Sequence, residues 1–157
     1  MCKISLETGM RVSEVINLQV QDIDWNTGKT HIKEGKGKKD RIIYLNSNLL
    51  EELRELVERL ETGSTGLVFP SRTGEKMDTN NLNRMLKTYG EKSGIEKHFT
   101  FHTFRHTYGT KLYKETGDIR IVQKVLGHSD ISTTMIYTHL FDEDIQNVMI
   151  KNNPYSV

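Results

Sequence analysis

Six side chains stand out because their types can handle protons and anions and their local settings are odd for folding alone. Arg11 opens a helical stretch, although a cation is disfavoured beside the positive end of a helix dipole. His102 and Arg105 lie three residues apart on one helical face, among Phe101 and Phe104. His128 follows Gly127 at a break between two helices, and Tyr137 comes nine residues later. Lys36 is flanked by Gly35 and Gly37, so its backbone can approach a ligand closely. Guanidinium forks and an ammonium suit oxyanions, and an imidazole moves protons near neutral pH. Taken singly, each residue also has an ordinary reading. A helical histidine beside a phenylalanine is commonly a satisfied core residue, Arg105 can pair with any nearby carboxylate, and a lysine-rich hairpin is commonly solvated. Tyr137 is one of six tyrosines and could sit at a core edge.

The elements that must position these residues follow from periodicity and punctuation. A chain of 157 residues predicts one domain, with a core large enough to need no staple. Residues 1–8 read as the end of a helix stopped by Gly9, and a second helix over about 11–18 turns Val12, Val15, Ile16 and Leu18 inward. Asn26-Thr27-Gly28 is a turn, Lys29–Lys33 a short strand, Gly35–Asp40 a hairpin tip and Arg41–Leu45 the returning strand. Asn46 or Ser47 caps a helix running to about Leu60, with Leu49, Leu53, Leu56, Val57 and Leu60 at helical spacing. A loop holding the apolar run Leu67-Val68-Phe69 follows. Asp78 then caps a helix whose Leu82, Met85, Leu86 and Tyr89 face inward and which Gly94 ends. Further helices are expected over about 101–115, 118–126 and 130–138, with an amphipathic stretch over 141–150. The fold class is mainly α (α+β), a helical core with one small antiparallel β-sheet or hairpin.

Composition narrows the function classes. Apolar residues at 35% and charged residues at 27% describe a globular chain. No apolar run approaches the ~20 residues of a membrane span, and the N-terminus lacks a signal core, so no membrane partner is expected. The one cysteine, Cys2, forms no internal disulfide, and a reducing cytoplasm fits it best. The net charge of +1 does not announce a nucleic-acid partner, but its distribution says more. Residues 33–41 hold five basic and two acidic side chains, and residues 84–124 hold nine and four. Such segregation suggests one positive face, the footprint expected for a phosphate backbone, with plain solvated surface as the alternative. His98, His102 and His106 recur at metal-like spacing, but Thr100 caps the helix and leaves His98 outside it. No carboxylate or cysteine joins them, so a metal site is discounted.

Together the singled-out residues form a familiar set. Thr8-Gly9-Met10-Arg11-Val12-Ser13-Glu14, Gly35-Lys36-Gly37, His102-Thr103-Phe104-Arg105-His106, Leu126-Gly127-His128-Ser129 and Tyr137-Thr138-His139 resemble, in order and spacing, the tyrosine recombinases of the phage integrase family. The resemblance covers practically the whole chain, and five motifs in register are specific where any one would be weak. It implies the tyrosine recombinase catalytic-domain fold. It implies that Arg11 and Arg105 are the two active-site arginines, Lys36 the hairpin lysine, His102 and His128 the two histidine positions, Tyr137 the nucleophile and Glu14 a supporting acid. Lys33, Lys38, Lys39, Arg41 and His106 are the expected DNA contacts.

The implied chemistry suits these residue types. Attack of a hydroxyl on a phosphodiester passes through a pentacoordinate phosphorus, whose oxygens two permanently charged guanidiniums can clamp. A tyrosine hydroxyl with a pKa near ~10 needs cationic surroundings and a base, for which His102 is the first candidate. The 5′-oxygen leaves with a proton, for which Lys36 is suited, and His128 donates a hydrogen bond to the phosphate. The phosphotyrosyl ester conserves the bond energy, so no cofactor, ATP or metal is expected. Two other readings stay open: a type IB topoisomerase-like enzyme, and a non-catalytic DNA-binding module. The partner expected from the resemblance is a double-stranded recombination site bound by a tetramer, with the stripe Phe141, Ile145, Val148 and Met149 docking on a neighbouring protomer. Accessory DNA-bending proteins are compatible with this. An N-terminal DNA-clamping domain and the start of the first helix are expected to be absent from residues 1–157.

Overall fold

The computed structural model describes residues 1–33, 40–63, 66–95 and 99–137. The elements run α1 (Cys2–Thr8), α2 (Val12–Asn17), β1 (Lys29–Ile32), β2 (Arg41–Tyr44), α3 (Ser47–Arg59), α4 (Thr79–Lys92), α5 (Phe101–Thr116) and α6 (Ile119–Leu126). Short 3-10 turns occur at Val20–Asp22 and Ile131–Thr133. The fold is thus mainly helical with one two-stranded antiparallel sheet, paired from Lys29↔Tyr44 to Ile32↔Arg41. Lys36, Lys38, Lys39 and the stretch after Tyr137 lie outside the described residues.

Local chemistry starts and stops these helices. Asn46 accepts the Leu49 N–H at 2.9 Å, Asp78 that of Asn81 at 2.9 Å, and Asp118 that of Arg120 at 2.7 Å. Each satisfies one of the donors that a helix N-terminus leaves open. Thr100 and Thr103 cap α5 reciprocally, each hydroxyl accepting the other's backbone N–H. Gly9 ends α1 at φ 67° and Gly127 ends α6 at φ 66°, in left-handed backbone that costs a side chain strain.

Three apolar clusters build the interior. The largest joins Ile4, Met10 and Val15 of the N-terminal helices and their junction to Ile32 and Ile43 of the sheet and Leu49 and Leu53 of α3. Val68 and Phe69 complete it, so the short apolar run of the loop is core. A second cluster holds Ile16, Leu82, Leu86 and Phe101. The third, Val122, Leu126 and Tyr137, lies against α5 through Tyr108 and Leu112. Helix α1 packs along α5, and α5 along α6, which sets the first and last thirds of the described chain side by side.

The structure departs from the sequence expectations in two places. Leu60, Met85 and Tyr89, expected inside, are exposed. The buried line of α4 is Leu82, Leu86 and Gly90, four residues apart. At Gly90 a Cβ would stand 2.9 Å from the Phe99 ring, so a missing side chain rather than Tyr89 fills the inner position. The second departure is the helix expected over 130–138. The chain instead winds in tight 3-10 turns over 131–133 and 135–137. Three residues per turn place Thr134 and Tyr137 on one edge, and both are buried.

Thr100→Ala removes the hydroxyl that accepts the Thr103 N–H, leaving the Thr103 half of the α5 cap in place, and should lower stability by about 1 kcal/mol in urea unfolding. An unchanged midpoint would show that this end of α5 is held by packing alone.

Candidate active site

Arg11, Arg41 and Arg105 come from three elements and meet at the end of a fourth. Arg41 Nε donates to the Val125 carbonyl at 3.0 Å, Arg105 Nη2 to that of Leu126 at 2.5 Å and Arg11 Nη2 to that of Gly127 at 2.8 Å. These are carbonyls at the C-terminal end of α6, which its own helical bonds leave unpaired and which form the negative end of its dipole. Arg105 also donates through Nη1 to the Gly9 carbonyl at 2.6 Å, tying α5 to the α1–α2 junction.

Glu14 lies under two of the cations. Its Oε1 accepts from Arg11 Nη1 at 2.8 Å and Arg41 Nη1 at 2.6 Å; its Oε2 accepts from Arg41 Nη2 at 2.8 Å and from the Arg11 backbone N–H at 2.7 Å. This explains a cation at the head of α2, since the carboxylate one turn on offsets the dipole. Burial acts to raise the Glu14 pKa, but the Arg41 bond and the charges of Arg41 and Arg11 outweigh it and hold it at about 2. Arg105 is 3% exposed. Burial, then the charges of Arg11 and Arg41, lower its pKa to about 10, so it keeps its charge at neutral pH.

His128 stands just past this helix end, its Nδ1 2.9 Å from the Thr134 hydroxyl. Burial, then the charges of Arg105, Arg11, Arg41 and His102, lower its pKa to about 4. The imidazole is therefore neutral at pH 7. In the tautomer where Thr134 donates to Nδ1, the ring proton lies on Nε2 and can donate a hydrogen bond to an anion. His102 is exposed on α5, within electrostatic reach of His128.

Tyr137 is 2% exposed and packs against Gly109 of α5, where a Cβ would stand 2.6 Å from its Cζ and 2.8 Å from its hydroxyl oxygen. The His106 ring lies on it at 4.9 Å between centroids, tilted by 57°. Burial raises the Tyr137 pKa, and the Arg105 charge opposes that rise.

Among the expected site residues, the structure brings together Arg11, Glu14, Arg105 and His128, with His102 within electrostatic reach of His128 and Tyr137 within electrostatic reach of Arg105. Lys33 reaches back to pair with buried Asp22 at the foot of the hairpin. Arg41, expected on DNA, is turned inward with its side chain 8% exposed, and half-buried His106, expected there too, faces Tyr137. Thr134 and Gly109 carried no sequence signal that singled them out, because their roles consist of what they sit against. Among the described residues, no group of three His, Cys, Asp or Glu side chains could hold a metal ion. No described helix is long and apolar enough to cross a membrane.

This helical fold, with paired arginines and a glycine-histidine break beside a tyrosine, matches the catalytic domain of tyrosine recombinases. The phage integrase family model matches residues 1–144, and the chain belongs to that family. It is 36% identical to tyrosine recombinase XerD of Staphylococcus epidermidis (strain RP62A) over 159 residues, covering 98% of this chain and 54% of that protein. The chain thus spans about half the length of such curated relatives. The crystal structure of XerA recombinase superposes with a TM-score of 0.80 at 35% identity, over 96% of this chain and 55% of that one. XerH site-specific recombinase, solved with palindromic difH substrate in a post-cleavage complex, gives 0.77 at 30% identity, over 94% of this chain and 43% of that one.

The lowered pKa of His128 is open to measurement. In an NMR titration its ring should change protonation near pH 4, well below an ordinary histidine. Because the folded pKa is depressed, neutral His128 contributes stability that is complete above about 6.5 and is lost as pH falls toward about 4. His128→Asn should flatten that part of the stability profile. A midpoint near the ordinary value would mean that neither burial nor the three guanidiniums act on this ring.

Proposed function

We propose that the chain is the catalytic domain of a site-specific tyrosine recombinase, which cleaves and rejoins DNA through a 3′-phosphotyrosyl ester. The observation that carries this reading is the convergence of Arg11, Arg105 and a neutral His128 at one helix end. Two guanidiniums and an Nε2–H donor would then surround a single phosphate. Arg11 and Arg105 clamp the non-bridging oxygens and stabilise the charge gained at phosphorus; a preorganised donor of this kind is commonly worth ~10²–10³ in rate. His128 gives the third hydrogen bond, and as a neutral donor it adds no competing positive charge.

Tyr137 attacks phosphorus. Its proton passes to His102 or, with the phenol in its buried position, toward His106, whose ring lies against it. The bond to the 5′-oxygen breaks as that oxygen takes a proton from Lys36. Attack of a 5′-hydroxyl on the phosphotyrosine reverses the steps and rejoins the strand. Lys33, Lys38 and Lys39 are the DNA-backbone contacts in this reading. The DNA complex of XerH, 30% identical, supports a DNA partner. A protomer's segment after Tyr137 docks on its neighbour in a DNA-bound tetramer, which couples the active sites.

Two experiments test the chemistry. On a duplex nicked beside the scissile phosphate, Tyr137→Phe should abolish the covalent adduct and leave DNA binding nearly unchanged; an adduct at another tyrosine sinks the assignment. A topoisomerase-like enzyme would form the same adduct but fail to exchange strands between two duplexes, and a non-catalytic module would form none. Lys36→Ala should be slow on ordinary DNA and recover on a 5′-bridging phosphorothiolate, whose thiolate leaves without a proton. If the sulfur substrate stays equally slow relative to the unsubstituted protein, Lys36 is an electrostatic contact only.

A further inference from the structure

Arg41 belongs to the strand that leaves the lysine-rich hairpin, yet every bond described for it runs into the protein. Its two Nη groups grip the two oxygens of Glu14 and its Nε holds the Val125 carbonyl. In β2 it shares a face with Ile43, two residues on, and Ile43 is core while Ile42 and Tyr44 point outward. We propose that Arg41 is a positioning residue for strand cleavage: it locks the hairpin strand to the Glu14–Arg11 pair and to the end of α6 that carries His128.

Two consequences follow from the geometry. Glu14 is shared between two cations, so its single negative charge does not cancel Arg11, and Arg11 keeps attraction for a phosphate. With Arg41 removed, the carboxylate would face Arg11 alone. Arg41 also ties β2 to the same helix end that Arg11 and Arg105 hold, so β2 and both arginines share one reference frame. The catalytic part of this inference rests on the proposed recombinase reading; the structural part does not.

The test separates a positioning role from the DNA contact expected on charge alone. Binding of a 30-base-pair duplex of arbitrary sequence is followed by fluorescence anisotropy across salt concentrations for the unsubstituted protein, Arg41→Met and Arg41→Lys. Loss of a phosphate contact lowers the slope of log K against log salt by about 1, whereas a positioning residue leaves it unchanged. The second readout is the His128 titration. The groups that act on that ring are Arg105 and His102 from α5, Arg11 from the head of α2, Arg41 from β2 and the Thr134 hydroxyl. Arg41→Met should move the His128 midpoint up from about 4 toward the ordinary value. Arg41→Lys keeps the charge but loses the fork, so it should move the midpoint less.

On a nicked recombination-site duplex, Arg41→Met should form adduct about 10²-fold more slowly at unchanged DNA affinity, the effect expected of misplaced catalytic groups. Both binding and titration readouts work without strand cleavage, so absence of any adduct in the unsubstituted protein would sink the recombinase reading and leave this one testable. If Arg41→Met does not fold, Arg41→Lys decides by the same slope and midpoint. A slope lowered by about 1 makes Arg41 a DNA contact and overturns the proposal. So does a His128 midpoint that stays in place in every variant that folds.

Discussion

The end of one helix organises the rest of the molecule. The carbonyls of Val125, Leu126 and Gly127 leave the α6 terminus with unpaired acceptors and a partial negative charge. Three guanidiniums, from β2, α5 and the head of α2, supply the donors. Elements distant in the chain are thereby drawn to one point: Arg11 and Gly127 are 116 residues apart, and Arg41 and Val125 are 84. Gly127 is the residue that makes the point accessible, since its left-handed backbone turns the chain sharply away and presents His128 beside the arginines.

Clustering three cations in a partly buried space is unfavourable on its own, because each repels the others and loses water. The lowered pKa of Arg105 records that cost. Glu14 and the helix end offset it, one with a full charge and the other with oriented dipoles. Neither fully neutralises the cluster; burial first, and then the surplus positive potential, keeps His128 neutral, and the Arg105 charge opposes the rise in the Tyr137 pKa. A site of this kind is poised for an anion to complete the balance. The phosphate of a DNA strand has the charge and the acceptor geometry to do so.

Tyr137 sits differently from the other site residues. It is core as much as chemistry: its ring fills space left by Gly109 and joins Val122 and Leu126. The 3-10 winding before it makes this possible by placing Thr134 and Tyr137 on one edge, so the same short segment supports His128 through Thr134 and buries the phenol.

The sequence by itself determined the element order, the helix caps at Asp78 and Thr100, that of α3 to within Asn46 or Ser47, and the motif positions, because capping, glycine stops and hydrophobic periodicity act over a few residues. The family was legible for the same reason, since its motifs are short and lie in register. Tertiary structure alone decided which way the charged residues face. In Arg41-Ile42-Ile43-Tyr44 two adjacent isoleucines of opposite parity leave open which face is buried, and the neighbouring lysines suggest solvent. Only the position of Glu14 and of the α6 terminus turns Arg41 inward. The winding over 131–137, the burial of Tyr137 and the support from Thr134 were equally hidden. They depend on space left by Gly109 and on a hydroxyl meeting an imidazole across a turn, contacts that exist only once α5 and α6 have packed.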